Sequence, residues 1–138
     1  MSDKTHGVAI VGYGFMGKTH TFGYHNIPFF YTKPPINYKM KGVCVRRKET
    51  LEAALSLGGF EFGTTRYEDL LERDDIDIIH VCTPNDLHRD QVIRAIEAGK
   101  HVYCDKPLGS SYEDCKHMVE AVDAASPEVV TQVALQYR

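Results

Sequence analysis

Residues 12–17 carry three glycines, Gly12, Gly14 and Gly17, at the spacing G-x-G-x-x-G. The apolar run 8–11 in front of them is typical of a strand buried on both faces. An amphipathic segment begins directly behind them, so the pattern is strand, glycine-rich turn and helix. Such a turn presents backbone N–H groups and the positive end of a helix dipole to a phosphate. The segment predicts a dinucleotide-binding turn; the alternative is a tight strand–helix turn without a ligand.

Each glycine has its own predicted task. Gly12 lets the chain turn tightly out of the strand, Gly14 lets the backbone approach a pyrophosphate, and Gly17 lets the helix pack close to the strand. The residues between the glycines belong to the predicted cofactor-binding set: Tyr13, Phe15 and Met16.

Strand and helix patterns alternate from one end of the chain to the other. The predicted strands are 8–11, 40–45, 60–62, 76–81, 101–104 and 129–135. The predicted helices are 15–24, 49–57, a short one ending at Leu71, 87–98, and one ending near Ala124. Two capping boxes, Thr65-x-x-Glu68 and Ser110-x-x-Glu113, are expected to begin the third and fifth helices. This alternation predicts an α/β fold, a doubly wound, mostly parallel sheet forming a single domain over 1–138.

The segment 25–38 interrupts the pattern. Pro28, Pro34 and Pro35 argue against a continuous helix, so we expect a long connection. Its aromatic and aliphatic side chains are unusually apolar for a loop. It either covers the edge of its own domain or faces a substrate pocket or a partner.

Bulk properties exclude several classes of protein. The chain of 138 residues has a formal net charge of −3 and no basic, aromatic-interleaved surface pattern that would indicate nucleic-acid binding. No apolar run approaches the length of a membrane span and no signal peptide precedes the first strand, so we expect a cytoplasmic protein with no membrane partner. The four cysteines form no C-x-x-C pair, and we expect structural thiols and no metal site.

Polar residues follow the predicted strands at the points where those strands end. They are the glycine turn, Arg46-Arg47, Thr83-Pro84-Asn85 and Asp105-Lys106-Pro107. In a doubly wound sheet the carboxyl ends of the strands share one edge, and ligands bind there. The sequence therefore predicts one site at this edge.

Four motifs in this order make the chain resemble a known family. With the glycine turn, the segments Thr83-Pro84-Asn85-x-x-His88, Ala98-Gly99-Lys100-His101-Val102 and Cys104-Asp105-Lys106-Pro107-Leu108 resemble the glucose–fructose oxidoreductase / inositol 2-dehydrogenase family. The resemblance covers essentially the whole chain. It implies an N-terminal NAD(P)-binding Rossmann domain and hydride transfer between NAD(P) and a sugar, polyol or related compound.

The resemblance also implies roles for individual residues. Lys106 is the expected catalytic residue, placed beside the nicotinamide and the substrate hydroxyl, where a cation stabilises a developing alkoxide. Asp105 stands where the family has a glutamate, and we expect its shorter side chain to pair with the Lys106 ammonium. Beyond the glycine turn, the cofactor-binding set is Arg46, Arg47, Cys82, Thr83, Pro84, Asn85, His88, Asp105, Lys106 and Pro107. Asn85 is expected to contact cofactor, to cap the next helix, or both, and His88 to contact ligand or to orient its loop.

The end of the second strand points to the identity of the cofactor. NAD-binding Rossmann domains normally carry an acidic residue there, which bonds the ribose 2′-OH. Here Arg47 takes that position, with Arg46 before it, and Glu49 lies in the next helix. Because arginine binds a 2′-phosphate through paired, charge-assisted bonds, NADP is the expected cofactor, with NAD possible. The alternative is a solvated basic turn.

The family's substrate-binding C-terminal α/β domain is not found in these residues. We therefore expect a fragment of a longer enzyme that binds NADP but turns over no sugar or polyol by itself. Homo-oligomers are expected to form through the absent domain. Two other functions remain open: a non-catalytic dinucleotide sensor or regulator, and another Rossmann-like enzyme such as a methyltransferase.

Overall fold

A computed structural model describes residues 4–135 as alternating strands and helices. The strands are β1 (Thr5–Val11), β2 (Asn37–Cys44), β3 (Phe62–Thr64), β4 (Ile78–Val81), β5 (His101–Cys104) and β6 (Thr131–Val133). The helices are α1 (Phe15–Phe30), α2 (Lys48–Gly58), α3 (Glu68–Leu71), α4 (His88–Glu97) and α5 (Tyr112–Ala124). A single 3₁₀ turn, Asn85–Leu87, leads into α4.

The six strands form one parallel sheet in the order β3-β2-β1-β4-β5-β6. This is the strand order of a dinucleotide-binding sheet, in which the chain reverses direction of winding between β1 and β4. The predicted fold class is confirmed.

Alternate residues of β1 pack on opposite faces of the sheet. Val8 and Ile10 join the core beneath α1 and α2, whereas Ala9 and Val11 join the core beneath α4 and α5. Burying an aliphatic side chain of this size contributes about 1.5–3 kcal/mol. Because both faces of β1 are covered in this way, its residues 8–11 are all apolar.

Helix α1 is longer than the sequence predicts. It continues through Pro28 to Phe30, so the expected connection over 25–38 is wrong in its first half. Pro28 has no N–H to donate to the carbonyl of Tyr24, four residues earlier. The Tyr38 hydroxyl donates to that carbonyl oxygen at 2.6 Å. A side chain from β2 therefore replaces the hydrogen bond that Pro28 removes, and this compensation is not visible in local sequence.

Neither of the two predicted capping boxes forms as expected. Ser111, not Ser110, accepts from the N–H of Asp114 at 3.1 Å, so α5 begins one residue later than expected. No side chain caps α3 in this part of the described chain. Thr64 instead accepts from the N–H of Arg66 and donates to Asp69. Gly59 and Gly99, which follow α2 and α4, both have positive φ.

Candidate dinucleotide site

The glycine turn connects β1 to α1 with little room to spare at two of its three glycines. Gly12 has a φ of 86°, which a residue with a side chain adopts only at a cost. A Cβ on Gly17 would lie 2.0 Å from the carbonyl oxygen of Gly12, so only glycine allows the helix to approach the turn this closely. Gly14 differs, because a Cβ there would meet nothing within 4 Å. The space in front of Gly14 is open at the point where a pyrophosphate is expected to approach.

The N-terminus of α1 has the features of an anion-binding site. Gly14 is its N-cap residue, and among the described residues no side chain caps the first N–H groups. The first turn contains no acidic residue. Free N–H groups and the positive end of the dipole therefore face the open space of Gly14. On this ground the residues fit a dinucleotide pyrophosphate.

A cavity of about 420 Å³ lies where β2 ends and α2 begins. Its lining consists of Tyr13, Lys18, Arg47, Glu49, Thr50 and Ala53. Arg47 is exposed and precedes α2 as its N-cap residue, without a side-chain hydrogen bond to the helix. The structure thus places Arg47 in a cavity beside the glycine turn. Arg46 is exposed but does not line this cavity.

Four of these lining residues are not among those predicted from the sequence, and three of the four are polar or charged. Lys18 lies one turn into α1 and adds a second cation to the cavity, and Thr50 adds a hydroxyl. Glu49, set aside because it lies in a helix, also faces the cavity. The sequence could have indicated Glu49 as a site residue through its position in the first turn of α2, since a first-turn residue is still close to the end of the preceding strand.

The turns after β4 and β5 form the other half of the edge. Pro84, Asn85, Lys106 and Pro107 are exposed there, and the Thr83 hydroxyl donates to the side-chain oxygen of Gln91 at 2.5 Å. No side chain caps the 3₁₀ turn that Asn85 begins, as far as the described residues show, so the expected capping role of Asn85 is wrong.

Asp105 is oriented differently from the expectation. It is buried, and its carboxylate accepts from the backbone N–H of Lys106 at 2.8 Å. No ion pair between the Asp105 carboxylate and the Lys106 ammonium occurs in the part of the chain that the structure describes. Asp105 therefore fixes the backbone of the turn, and the exposed Lys106 ammonium is free to meet a ligand.

Beneath this edge, polar side chains join α1 to β4. His20 Nδ1 lies 3.0 Å from His80 Nδ1 and 3.4 Å from the Cys82 sulfur, and the Tyr24 hydroxyl lies 2.9 Å from His80 Nε2. Burial first, and His20 second, lower the pKa of His80 to about 3. Burial, with a smaller contribution from Asp105, raises the pKa of the Cys82 thiol to about 12. Cys82 is thus a half-buried neutral thiol that packs below the site.

His88 also lies beneath the surface. It is 1% exposed, and its two ring nitrogens lie 2.8 Å from the Thr83 carbonyl oxygen and 2.9 Å from that of Pro107. No ring nitrogen remains for a ligand. Of the two roles expected for His88, the geometry supports orientation of the loop and not contact with the cofactor.

No cluster of three or more His, Cys, Asp or Glu side chains within residues 4–135 is arranged to hold a metal ion. No helix in that range is long and apolar enough to cross a membrane. A second cavity of about 350 Å³ lies between α5 and β6, and none of the predicted site residues lines it.

The model of an oxidoreductase family with an NAD-binding Rossmann fold matches residues 6–133. That range is nearly the whole chain. The chain belongs to this oxidoreductase family. The resemblance inferred from the four sequence motifs is thereby confirmed, and the chain is an NAD-binding Rossmann domain.

Named relatives of this family are similar over the same range. Levoglucosan dehydrogenase of Pseudarthrobacter phenanthrenivorans is 36% identical over 131 residues, which are 95% of this chain and 33% of the relative. A solved levoglucosan dehydrogenase in complex with NADH and levoglucosan superposes with a TM-score of 0.91 at 35% identity, covering 98% of this chain and 36% of that one. The apo scyllo-inositol dehydrogenase from Lactobacillus casei gives 0.81 at 28% identity, covering 97% and 37%. The chain therefore spans about a third of the length of these oxidoreductases.

Proposed function

We propose that the chain is the nucleotide-binding half of an NADP-dependent dehydrogenase that acts on a CH–OH group of a sugar, polyol or related compound. One arrangement carries this proposal. A single sheet edge presents the open glycine turn, an arginine-lined cavity at the end of β2 and an exposed lysine at the end of β5. The dehydrogenases similar to this chain, one of them solved with NADH and levoglucosan, support the reaction class. Family membership also favours an enzyme over a regulatory protein.

The adenosine end of the dinucleotide is assigned to the cavity at the end of β2. Arg47 and Lys18 supply positive charge, and Tyr13 supplies an aromatic wall. A ribose 2′-phosphate carries up to two negative charges, so these two cations favour NADP. Glu49 in the same cavity favours NAD, because a carboxylate accepts from a ribose hydroxyl and repels a phosphate. We assign the stronger influence to the two cations.

The nicotinamide end is assigned to the turns after β4 and β5. A bound nicotinamide supplies the hydride acceptor or donor. Thr83, Pro84 and Asn85 then line its ribose side, and the Lys106 ammonium faces the substrate hydroxyl. Negative charge grows on that oxygen when the hydroxyl loses its proton before hydride leaves, or, in the reverse direction, when hydride is added to the carbonyl carbon. A nearby ammonium stabilises this charge in both directions and in the second case donates the proton. The bond from Asp105 to the Lys106 backbone N–H holds the turn that carries the ammonium.

Binding of the two cofactors by matched variants tests the assignment of the adenosine end. We expect Arg47→Ala to weaken NADPH binding about tenfold or more, because a charge-assisted hydrogen bond contributes about 1.5–3 kcal/mol. NADH binding should change little. Lys48→Ala is the control, since it removes the same charge one residue away and outside the cavity.

Fluorescence titration of the wild type and the two variants at matched salt measures all six affinities. Equal losses of NADPH and NADH affinity in Arg47→Ala, or no loss of either, would contradict NADP selection by Arg47. In that event Glu49→Gln identifies the competing assignment, because a ribose hydroxyl bound by Glu49 makes NADH binding weaker in that variant.

A further inference from the structure

His88 connects the two turns that border the proposed nicotinamide end. It is the first residue of α4, and its ring lies beneath the sheet edge with 1% exposure. Nε2 is 2.8 Å from the Thr83 carbonyl oxygen in the turn after β4. Nδ1 is 2.9 Å from the Pro107 carbonyl oxygen in the turn after β5.

The sheet itself does not hold these two turns together. The last ladder pair between β4 and β5 is Val81 with Cys104, and the bond from the Asp105 N–H to the Val81 carbonyl oxygen closes it. Beyond that bond no backbone hydrogen bond among the described residues joins the 3₁₀ turn after β4 to the Lys106–Pro107 turn after β5. The imidazole spans the gap as a cross-link between two backbone carbonyl groups.

A carbonyl oxygen only accepts, so the ring must donate to each carbonyl that it binds. A neutral ring has one N–H and serves one carbonyl; both bonds together require N–H on both nitrogens. The Cys104 sulfur lies 3.4 Å from Nδ1. Burial raises the pKa of that thiol to about 12, so it stays neutral.

We propose that His88 is a positioning residue for the nicotinamide end of the cofactor. Its ring sets the separation between the Thr83–Asn85 turn and the turn that carries Lys106, and it acts through their backbones without touching ligand. This inference rests on the proposed function, because it assumes that these turns receive the nicotinamide. Without the cross-link the turns must be ordered when the dinucleotide binds, and that ordering lowers affinity.

Binding of two ligands distinguishes a positioning role of His88 from a general loss of folded structure. NADPH contacts both ends of the proposed site, whereas 2′,5′-ADP contacts only the adenosine end. We expect His88→Phe, which removes both hydrogen bonds, to weaken NADPH binding about tenfold and to leave 2′,5′-ADP binding unchanged. His88→Asn keeps a donor near the Nδ1 position and His88→Gln keeps one near the Nε2 position, so both should give intermediate losses.

His117→Phe on α5 is the matched control, because that ring makes no recorded hydrogen bond among the described residues. Urea unfolding of each variant checks that it is folded. Equal losses for both ligands, or no loss of NADPH affinity in His88→Phe, would overturn the positioning role. A wild-type chain that binds 2′,5′-ADP but not NADPH would overturn it as well.

A wild-type chain that binds neither ligand would instead refute the proposed function, and the inference with it.

One measurement of the His88 hydrogen bonds needs no variant. In the NMR spectrum of the wild-type chain, a ring N–H of His88 should exchange slowly with solvent. Exchange as fast as that of an exposed histidine would show that the cross-link is not formed.

Discussion

Gly14 and Gly17 belong to one motif but have opposite surroundings. A methyl group on Gly17 would collide with the Gly12 carbonyl oxygen at 2.0 Å, whereas one on Gly14 would enter open space. We expect Gly17→Ala to lower the free energy of unfolding by more than about 3 kcal/mol, because backbone must move.

Gly14→Ala should change stability by less than about 0.5 kcal/mol and weaken NADPH binding about tenfold, because the methyl fills the space meant for the pyrophosphate. Urea unfolding and NADPH titration of the two variants measure both effects. Unchanged NADPH binding by a folded Gly14→Ala variant would show that the pyrophosphate lies elsewhere.

His80 makes the stability of the folded domain depend on pH. Its pKa is lowered to about 3 in the folded chain, from 6.5, so the unfolded chain binds more protons between these values. Stability is therefore complete above about pH 6.5 and falls as the pH is lowered. One such proton costs about 2 kcal/mol between pH 6.5 and 5.

His80→Gln removes this titration while keeping a polar side chain. We expect its free energy of unfolding to fall less steeply between pH 7 and 5 than that of the wild type, by about one proton. Burial also lowers the pKa of His20, so some slope should remain. Identical slopes in urea unfolding would mean that His80 is not the titrating group.

Among elements, α1 shows most clearly what local sequence does not reveal. The strand, the turn and the first helical turn follow from the glycine spacing. Its continuation through Pro28 depends on the Tyr38 hydroxyl, a contact across 14 residues of the chain. The cap of α5 is another example: Ser111 caps the helix where the sequence predicts Ser110, because two adjacent serines offer equivalent caps to local sequence reasoning.

The effects of changing Tyr38 and Pro28 on stability should be coupled. Tyr38→Phe should destabilise the wild type by about 1 kcal/mol, because the Tyr24 carbonyl loses its donor. In a Pro28→Ala background the same change should cost much less, because the alanine N–H restores the helical bond to that carbonyl. A double-mutant cycle by urea unfolding measures the difference. Additive effects would contradict the compensation.

For the whole molecule, the parallel sheet brings the residues that follow its strands to one edge, as the alternation of strands and helices predicts. Parallel strands carry their carboxyl ends to one side, so Gly12, Arg47, Thr83 and Lys106 were expected there from their positions alone. Side-chain orientation did not follow in the same way. Whether Asp105 binds an ammonium or a backbone N–H, and whether His88 faces ligand or carbonyl groups, depends on packing that the motif does not encode.

The chain of 138 residues by itself should bind the cofactor without catalysing the proposed reaction. It contains the proposed cofactor site but spans about a third of the length of its relatives. We expect it to bind NADPH and to show no dehydrogenase turnover with sugars or polyols, because a substrate must be held against the nicotinamide for hydride transfer. Absorbance of NADPH over time measures this, and turnover by this chain would place the substrate site within these residues.

The proposed function requires that one dinucleotide spans this sheet edge from the end of β2 to the end of β5. Titration of the ¹⁵N-labelled chain with NADP⁺, followed by backbone amide NMR, is the decisive experiment. We expect the largest shifts to occur together at Gly12–Gly17, Arg47, Thr83–Asn85 and Lys106. Shifts confined to the cavity between α5 and β6, or none at any concentration, would contradict it.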